Sequence, residues 1–404
     1  MAGHPVSANA APVRRVGALD EDVAAPSRRL LHVAAATGLV LALGWVVDRT
    51  AAAAAVLVAT QVAVGVAVGA AVVLVLAYVT RAGWLASVRR APEALMMSLS
   101  VLAPVVLVGL ALAVPLYVWT DAHLVAHDEL LAHKSGWLNV PAFLLRAVLI
   151  LALWMWLAKR LRRTSLAQDA SRAAPDDGPA LRWSAIFLAV LAVTWSVATF
   201  DWLMSLQPHW FSTMYAWASL AGSIVSALAA TTLMVLFLER SGPFRGILTE
   251  RHRHDLGKLL FGFSTFWAYL WFCQYMLIWY SHIPEETSYY VVRTSSTWMP
   301  QVFACLALGW GIPFFGLMTR RAKISRHRLV LMSIALLLGR WLDVHLMVAP
   351  AVGSPASILW QVPALIGVFA LLVWASRVAF ARAPRVPVGD PYLVESLPPK
   401  EVAE

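Results

Sequence analysis

Ten runs of apolar residues dominate this chain and leave few folds open to it. They lie near 31–47, 53–79, 95–119, 137–158, 183–205, 210–238, 257–281, 297–318, 328–349 and 357–380. A helix needs about 20 apolar residues to cross the bilayer core. Inside lipid a helix also satisfies every backbone N–H and C=O within itself. The pattern therefore predicts an all-α integral membrane protein with ten transmembrane helices. Only 13% of the residues are charged and 60% are hydrophobic, against about a quarter charged in a soluble domain. Trp45, Trp137, Trp210, Trp279, Tyr280 and Trp298 stand near span ends, where amphipathic rings meet headgroups.

The 32 Lys and Arg residues give the orientation. Twenty-seven fall on the side of the two tails and the 2–3, 4–5, 6–7 and 8–9 loops. Three, Arg49, Lys134 and Arg293, fall on the other side, and Arg146 and Arg340 lie within spans. The positive-inside bias puts both termini in the cytoplasm. The net charge of +10 thereby reports topology, and no nucleic-acid partner is needed to explain it. Residues 1–28 read as a cytoplasmic tail without a signal peptide. Residues 29–381 form the membrane domain. Residues 382–404, rich in proline, read as a second cytoplasmic tail, extended or docked on a partner.

Two stretches echo one another. Span 5 ends in "DWLMSLQP" (201–208) and span 9 in "DVHLMVAP" (343–350), each with an aspartate seven residues before a proline. A duplicated four-helix unit, spans 2–5 and 6–9 flanked by spans 1 and 10, would produce this echo; chance is the rival explanation. Parallel repeats are a known membrane architecture.

Ionisable groups at membrane depth are costly and mark candidate sites. Asp201 reads either as an interface residue that caps the 5–6 turn or bonds Trp indoles, or as a proton-carrying or ligand-bonding acid, with His209 close in sequence. Arg340 and Asp343 sit at i,i+3 and can pair on one helix face, with His345 pointing elsewhere. That group reads as a structural ion pair or as part of a proton relay. Arg146 reads as snorkelling or structurally paired. His282, Glu285 and Glu286 follow span 7 around Pro284. They read as the first turn of a surface helix or as a mouth for protons at the outer surface. Within span 7, Trp271 and Tyr275 with Gln274 could flank a flat quinone ring, with aromatic packing the alternative. The only cysteines, Cys273 and Cys305, lie in apolar runs without metal-binding spacing, so no metal or iron–sulfur site is expected in this chain. Two histidines at matching depth for haem b are not found either.

The strings "FDWLMSLQPHWFSTMYAW" (200–217) and "HDLGKLLFGFSTFWAYLWFCQYMLIWYSHIPEET" (254–287) resemble the NrfD-like family of quinol-oxidoreductase membrane subunits. The likeness is to the ActF-type subunit of bacterial alternative complex III, and it covers roughly residues 30–380. It implies ten helices in a bacterial inner membrane beside a paralogous NrfD-like subunit. Periplasmic partner subunits would carry iron–sulfur clusters and haem c, and electrons would pass from menaquinol or ubiquinol to cytochrome c or a terminal oxidase. Asp201, His209, His282, Glu285 and Glu286 match the family's motifs. Such a chain would bind no cofactor of its own and would supply a proton path or scaffold among lipids and quinone. Two other functions compete. A secondary transporter would need a Gly/Pro-broken pair of spans at midplane depth, which the sequence does not present. A purely structural anchor for the redox subunits would need only the apolar helices.

Overall fold

The computed structural model describes residues 27–171, 176–355 and 357–397. The first 26 residues of the expected N-terminal tail, the middle of the 4–5 loop and residues 398–404 of the expected C-terminal tail lie outside this set. Among the described residues the secondary structure is helical, without strands. The long helices are α1 (Arg28–Val47), α2 (Arg49–Val79), α3 (Arg90–Leu116), α4 (Val140–Ala170) and α5 (Gly178–Trp202). They continue with α6 (Thr213–Ser241), α7 (Glu250–Ser281), α8 (Met299–Gly316), α9 (Arg326–Val348) and α10 (Ser357–Ala381).

Nine of these helices are long and apolar enough to cross a membrane, as in a multi-pass membrane protein. The exception is α7, which the sequence reading counted as a span. Its tryptophans and tyrosines, with Gln274, dilute the hydropathy on which such a count rests. At 32 residues it is roughly 48 Å long at 1.5 Å per residue, ample for a crossing that begins beyond its charged first turns.

Helix α2 is the centre. Of its most apolar window 78% is buried, against 6% for α1. A chain of Ala, Val and Gly gives α2 a thin profile, so neighbours approach from all sides: α1, α3, α5, α6, α9 and α10 all pack on it. A Cβ on Gly69 would stand 2.2 Å from the carbonyl oxygen of Ser223, and one on Gly65 2.8 Å from the Ser223 hydroxyl. These two glycines therefore set the α2–α6 approach. Other pairings run α3 on α4, α4 on α5, α6 on α7 and α9, α8 on α7 and α9, and α1 on α10.

Helix α8 departs from the expectation of unbroken spans. A π turn occupies Ala307–Gly311, ahead of Pro313. Proline cannot supply the N–H that would continue the regular ladder, and π turns commonly stand at functional sites. Here α8 presses on α9: a Cβ on Gly339 would lie 2.5 Å from the Gly309 nitrogen.

Residues after α10 pack back on the chain itself. The end that carries residue 27 and residue 381 is called the terminus face here, and the opposite end the distal face. On the terminus face Asp390 pairs with Arg89, and Tyr392 Oη donates to Asp177 (3.0 Å). Ser396 Oγ donates to Trp84 O (3.0 Å).

Candidate functional site

The acids and cations singled out in the sequence fall into four places. The first joins α4 to α5. Asp201 is buried and accepts from Arg146 Nε (2.6 Å) and from Trp137 Nε1 (2.9 Å). Arg146 also lies over the Trp137 ring, 4.2 Å from its centroid. Asp201 is thus a fully engaged carboxylate that clamps two helices. His209 does not join it: its Nε2 meets Asp128 Oδ2 at 2.7 Å on the exposed distal face. The backbone N–H of Leu131 and then the His209 contact hold the Asp128 carboxyl below its usual range.

The second place lies on α9. Arg340 Nη1 donates to Asp343 Oδ2 at 2.5 Å, and both residues are buried. The guanidinium reaches on to Ser219 Oγ (3.2 Å) and Ser223 Oγ (3.3 Å) of α6. Gly222 makes room for it: a Cβ there would stand 2.7 Å from Arg340 Nη1. His345 is wholly buried and turned towards α10. Its Nδ1 lies 2.8 Å from Gln361 Nε2, and Gln361 Oε1 accepts from Trp341 Nε1 (2.7 Å). An indole can only donate. The amide oxygen must therefore face Trp341 and the amide nitrogen must face His345, so His345 carries its proton on Nε2. Among the described residues that Nε2 has no hydrogen-bond partner.

The third place is a cavity of about 50 Å³ beside Asp343. Gln274, Trp271 and Tyr275 of α7 line it with Tyr215 of α6 and Asp343 of α9. The short helix Pro284–Arg293 closes it with Tyr289, Tyr290 and Arg293. Burial pushes the phenols of Tyr289 and Tyr290 above their ordinary value, so both remain neutral groups able to donate and accept. The cavity is about a third of the roughly 150 Å³ that holds a benzene ring, and a water's share of liquid is about 30 Å³. It therefore fits one or two waters and no quinone ring. Trp271 and Tyr275 stack with ring centroids 6.2 Å apart, which leaves no slot between them.

The fourth place is the distal surface. His282 ends α7 in a left-handed conformation (φ 50°) and is exposed, as is Glu285. Glu286 accepts a long contact from Ser281 Oγ (3.5 Å), and its backbone carbonyl accepts from Trp210 Nε1 (3.0 Å). Glu285 and Glu286 stand in the first turn of the helix that Pro284 opens. One turn on, the same helix presents Tyr289 and Tyr290 to the cavity. Among the described residues no group of three His, Cys, Asp or Glu side chains is placed to hold a metal ion.

Two features are not evident from the sequence pattern. Arg293, a loop charge by its place in the sequence, is buried and caps the end of α9: Nε donates to Leu346 O (2.8 Å) and Nη2 to Met347 O (3.3 Å). Such last-turn carbonyls lack helical partners and favour a cation. Glu93 is the other. It is wholly buried among Arg89 (3.2 Å), Arg90 and Arg162, and Ser165 Oγ donates to it (2.7 Å). Asp169 and Asp390 complete the cluster through Arg90 and Arg89. The Arg89-Arg90-x-x-Glu93 spacing, at i,i+4 and i,i+3, was the available signal.

No family model matches this sequence, and no curated protein matches it.

Proposed function

We propose that this chain is the membrane subunit of a bacterial respiratory quinol:electron-acceptor oxidoreductase, of the NrfD-like, ActF type found in alternative complex III. In this reading it carries no redox centre and conducts protons at Asp343. The cavity beside Asp343 supports it best. A buried carboxylate, two neutral phenols and Gln274 share a space sized for water, closed by the helix whose first turn holds Glu285 and Glu286. Protons released when quinol is oxidised need such fixed acceptors. The cavity's size argues that the quinol ring itself sits elsewhere, on the paralogous partner.

Helix pairing supports ten crossings arranged as two rings, α2–α5 and α6–α9, with α1 and α10 outside. Within that arrangement Asp201 and Asp343 fall near corresponding ends of the last helix of each ring, and each is paired with an arginine. The basic terminus face supports cytoplasmic termini in the bacterial inner membrane, with iron–sulfur and haem c subunits on the opposite, periplasmic side.

Affinity purification of the tagged chain from its native membrane tests the assignment. The expected preparation contains haem c and iron–sulfur subunits and oxidises quinol. A chain that purifies folded and without redox partners, and moves a solute in liposomes, would replace this reading with the transporter.

A further inference from the structure

A cleft of about 610 Å³ runs between α1, α2, α3 and α10, walled in part by Gly38, Leu41 and Trp45 of α1, Val56 of α2, Val108 of α3 and Gly367 of α10. Its chemistry is uniform. The lining holds two hydroxyls, and both are already used within their own helices. Thr37 Oγ1 donates to Val33 O (2.9 Å) and Ala34 O (3.0 Å), and Thr60 Oγ1 to Val56 O (2.8 Å) and Leu57 O (3.0 Å). The walls thus offer hydrocarbon contact and no hydroxyl for a polar ligand.

Its dimensions narrow the occupant. Along α1 the lining extends from Ala34 to Trp45, roughly 16 Å at 1.5 Å per residue. That is about half of the ~30 Å hydrocarbon core, the depth of one leaflet. A methylene occupies about the volume of a water, roughly 30 Å³, so the cleft holds some 20 of them: one acyl chain. A helix about 10 Å across would need more than ~1,000 Å³ over the same length and does not fit. At the mouth stands a cation. The Arg49 guanidinium lies over the Trp45 ring, 5.3 Å from its centroid, and is exposed. Its neighbour Asp48 is turned away to cap α2, accepting from Ala51 N (2.9 Å).

We propose that this cleft seats one acyl chain of an anionic phospholipid from the leaflet on the Arg49 side, with the phosphate on Arg49. The site is separate from the Asp343 cavity and does not depend on the redox assignment.

Native mass spectrometry of the full chain released from nanodiscs of equal phosphatidylglycerol and phosphatidylcholine tests it. The expected spectrum retains one phospholipid per chain, with about fivefold preference for phosphatidylglycerol, the factor that ~1 kcal/mol from one interfacial cation produces. Gly38→Phe fills the cleft, and nothing lies within 4 Å of a Cβ added at that position. It should lose the retained lipid while helicity and melting temperature stay unchanged. Arg49→Gln should keep a lipid and lose the headgroup preference. Three results would overturn the proposal: equal retention by wild type and Gly38→Phe, a retained mass that belongs to an isoprenoid quinone, or a preference unchanged in Arg49→Gln.

Discussion

Glu93 offers a sharp test of what holds the terminus face together. Three guanidiniums (Arg89, Arg90, Arg162) face three carboxylates (Glu93, Asp169, Asp390). All six side chains are less than a tenth exposed. Glu93→Gln leaves three cations with two anions. Arg162 suffers most, because among the described residues its remaining bond runs only to the Ala379 carbonyl (2.9 Å). Removing one partner of a buried pair costs about 3–5 kcal/mol, since the other charge stays desolvated. Against a typical total stability of about 5–15 kcal/mol, that is a large fraction. Reversible unfolding of the full chain in mixed micelles, titrated with dodecyl sulfate, measures it. The exposed Glu285→Gln serves as control and should change stability by no more than about 0.5 kcal/mol. The double variant Glu93→Gln/Arg162→Gln rebalances the charges and should recover part of the loss. If Glu93→Gln alone stays within about 0.5 kcal/mol of wild type, the cluster is effectively solvated and the reasoning fails.

Three further outcomes follow from the geometry. Gly69→Ala should destabilise by about 1–3 kcal/mol through overpacking against Ser223, whereas Gly38→Ala should be neutral or stabilising by up to ~1 kcal/mol; thermal melts in detergent separate the two. Asp201→Asn removes the charge that Arg146 pairs with and should cost about 1–3 kcal/mol, measured in the same melts; no change would mean Arg146 is satisfied by Trp137 alone. The third outcome concerns pH. His252 stands in the first turn of α7, where Nδ1 accepts from Thr249 N (3.2 Å) and Nε2 lies between Ser87 Oγ (3.0 Å) and Ser396 Oγ (3.1 Å). Burial lowers its pKa from 6.5 to about 4, opposed by Asp255 and aided by Arg251 and Arg253. The unfolded chain takes up this proton near 6.5 and the folded chain only near 4. Stability is thus complete above pH 6.5 and falls by up to about 3 kcal/mol as the pH drops to 4. Hydrogen-exchange protection factors at residues 390–397, taken relative to the intrinsic rate at each pH, should fall over that window, and protection factors that stay constant would contradict the contact.

Much of the helical architecture was legible because apolar length in a membrane protein is dictated by the bilayer. What stayed hidden were partnerships between distant elements. Asp201 and Arg146 were each visible as costly charges, but nothing in either helix says they face each other. Arg89, Arg90 and Arg293 were read as loop cations because a positive-inside count treats every basic residue near a span end alike. Their burial depends on where the segment after α10 and the Pro284–Arg293 helix fold back. The cavity was half legible: Gln274, Trp271 and Tyr275 were picked from one helix, while Tyr215, Tyr289 and Asp343 arrive from three others. At about 50 Å³ the space is smaller than a flat ring needs, which supports the proposal that these residues hold water. The break in α8 was also missed, because Gly309, Gly311 and Pro313 lie in an apolar run that reads as continuous.

The measurement closest to the central claim is proton translocation per electron, in sealed proteoliposomes, by the redox complex in which this chain is proposed to sit. Three variants belong beside the wild type: Asp343→Asn, Asp343→Glu, and the double Asp343→Asn/Arg340→Gln, which leaves no lone buried cation. The account predicts that both Asn variants assemble and lose translocation, while Asp343→Glu retains it. Unchanged translocation in an assembled complex carrying either Asn variant would contradict the claim that Asp343 conducts the proton.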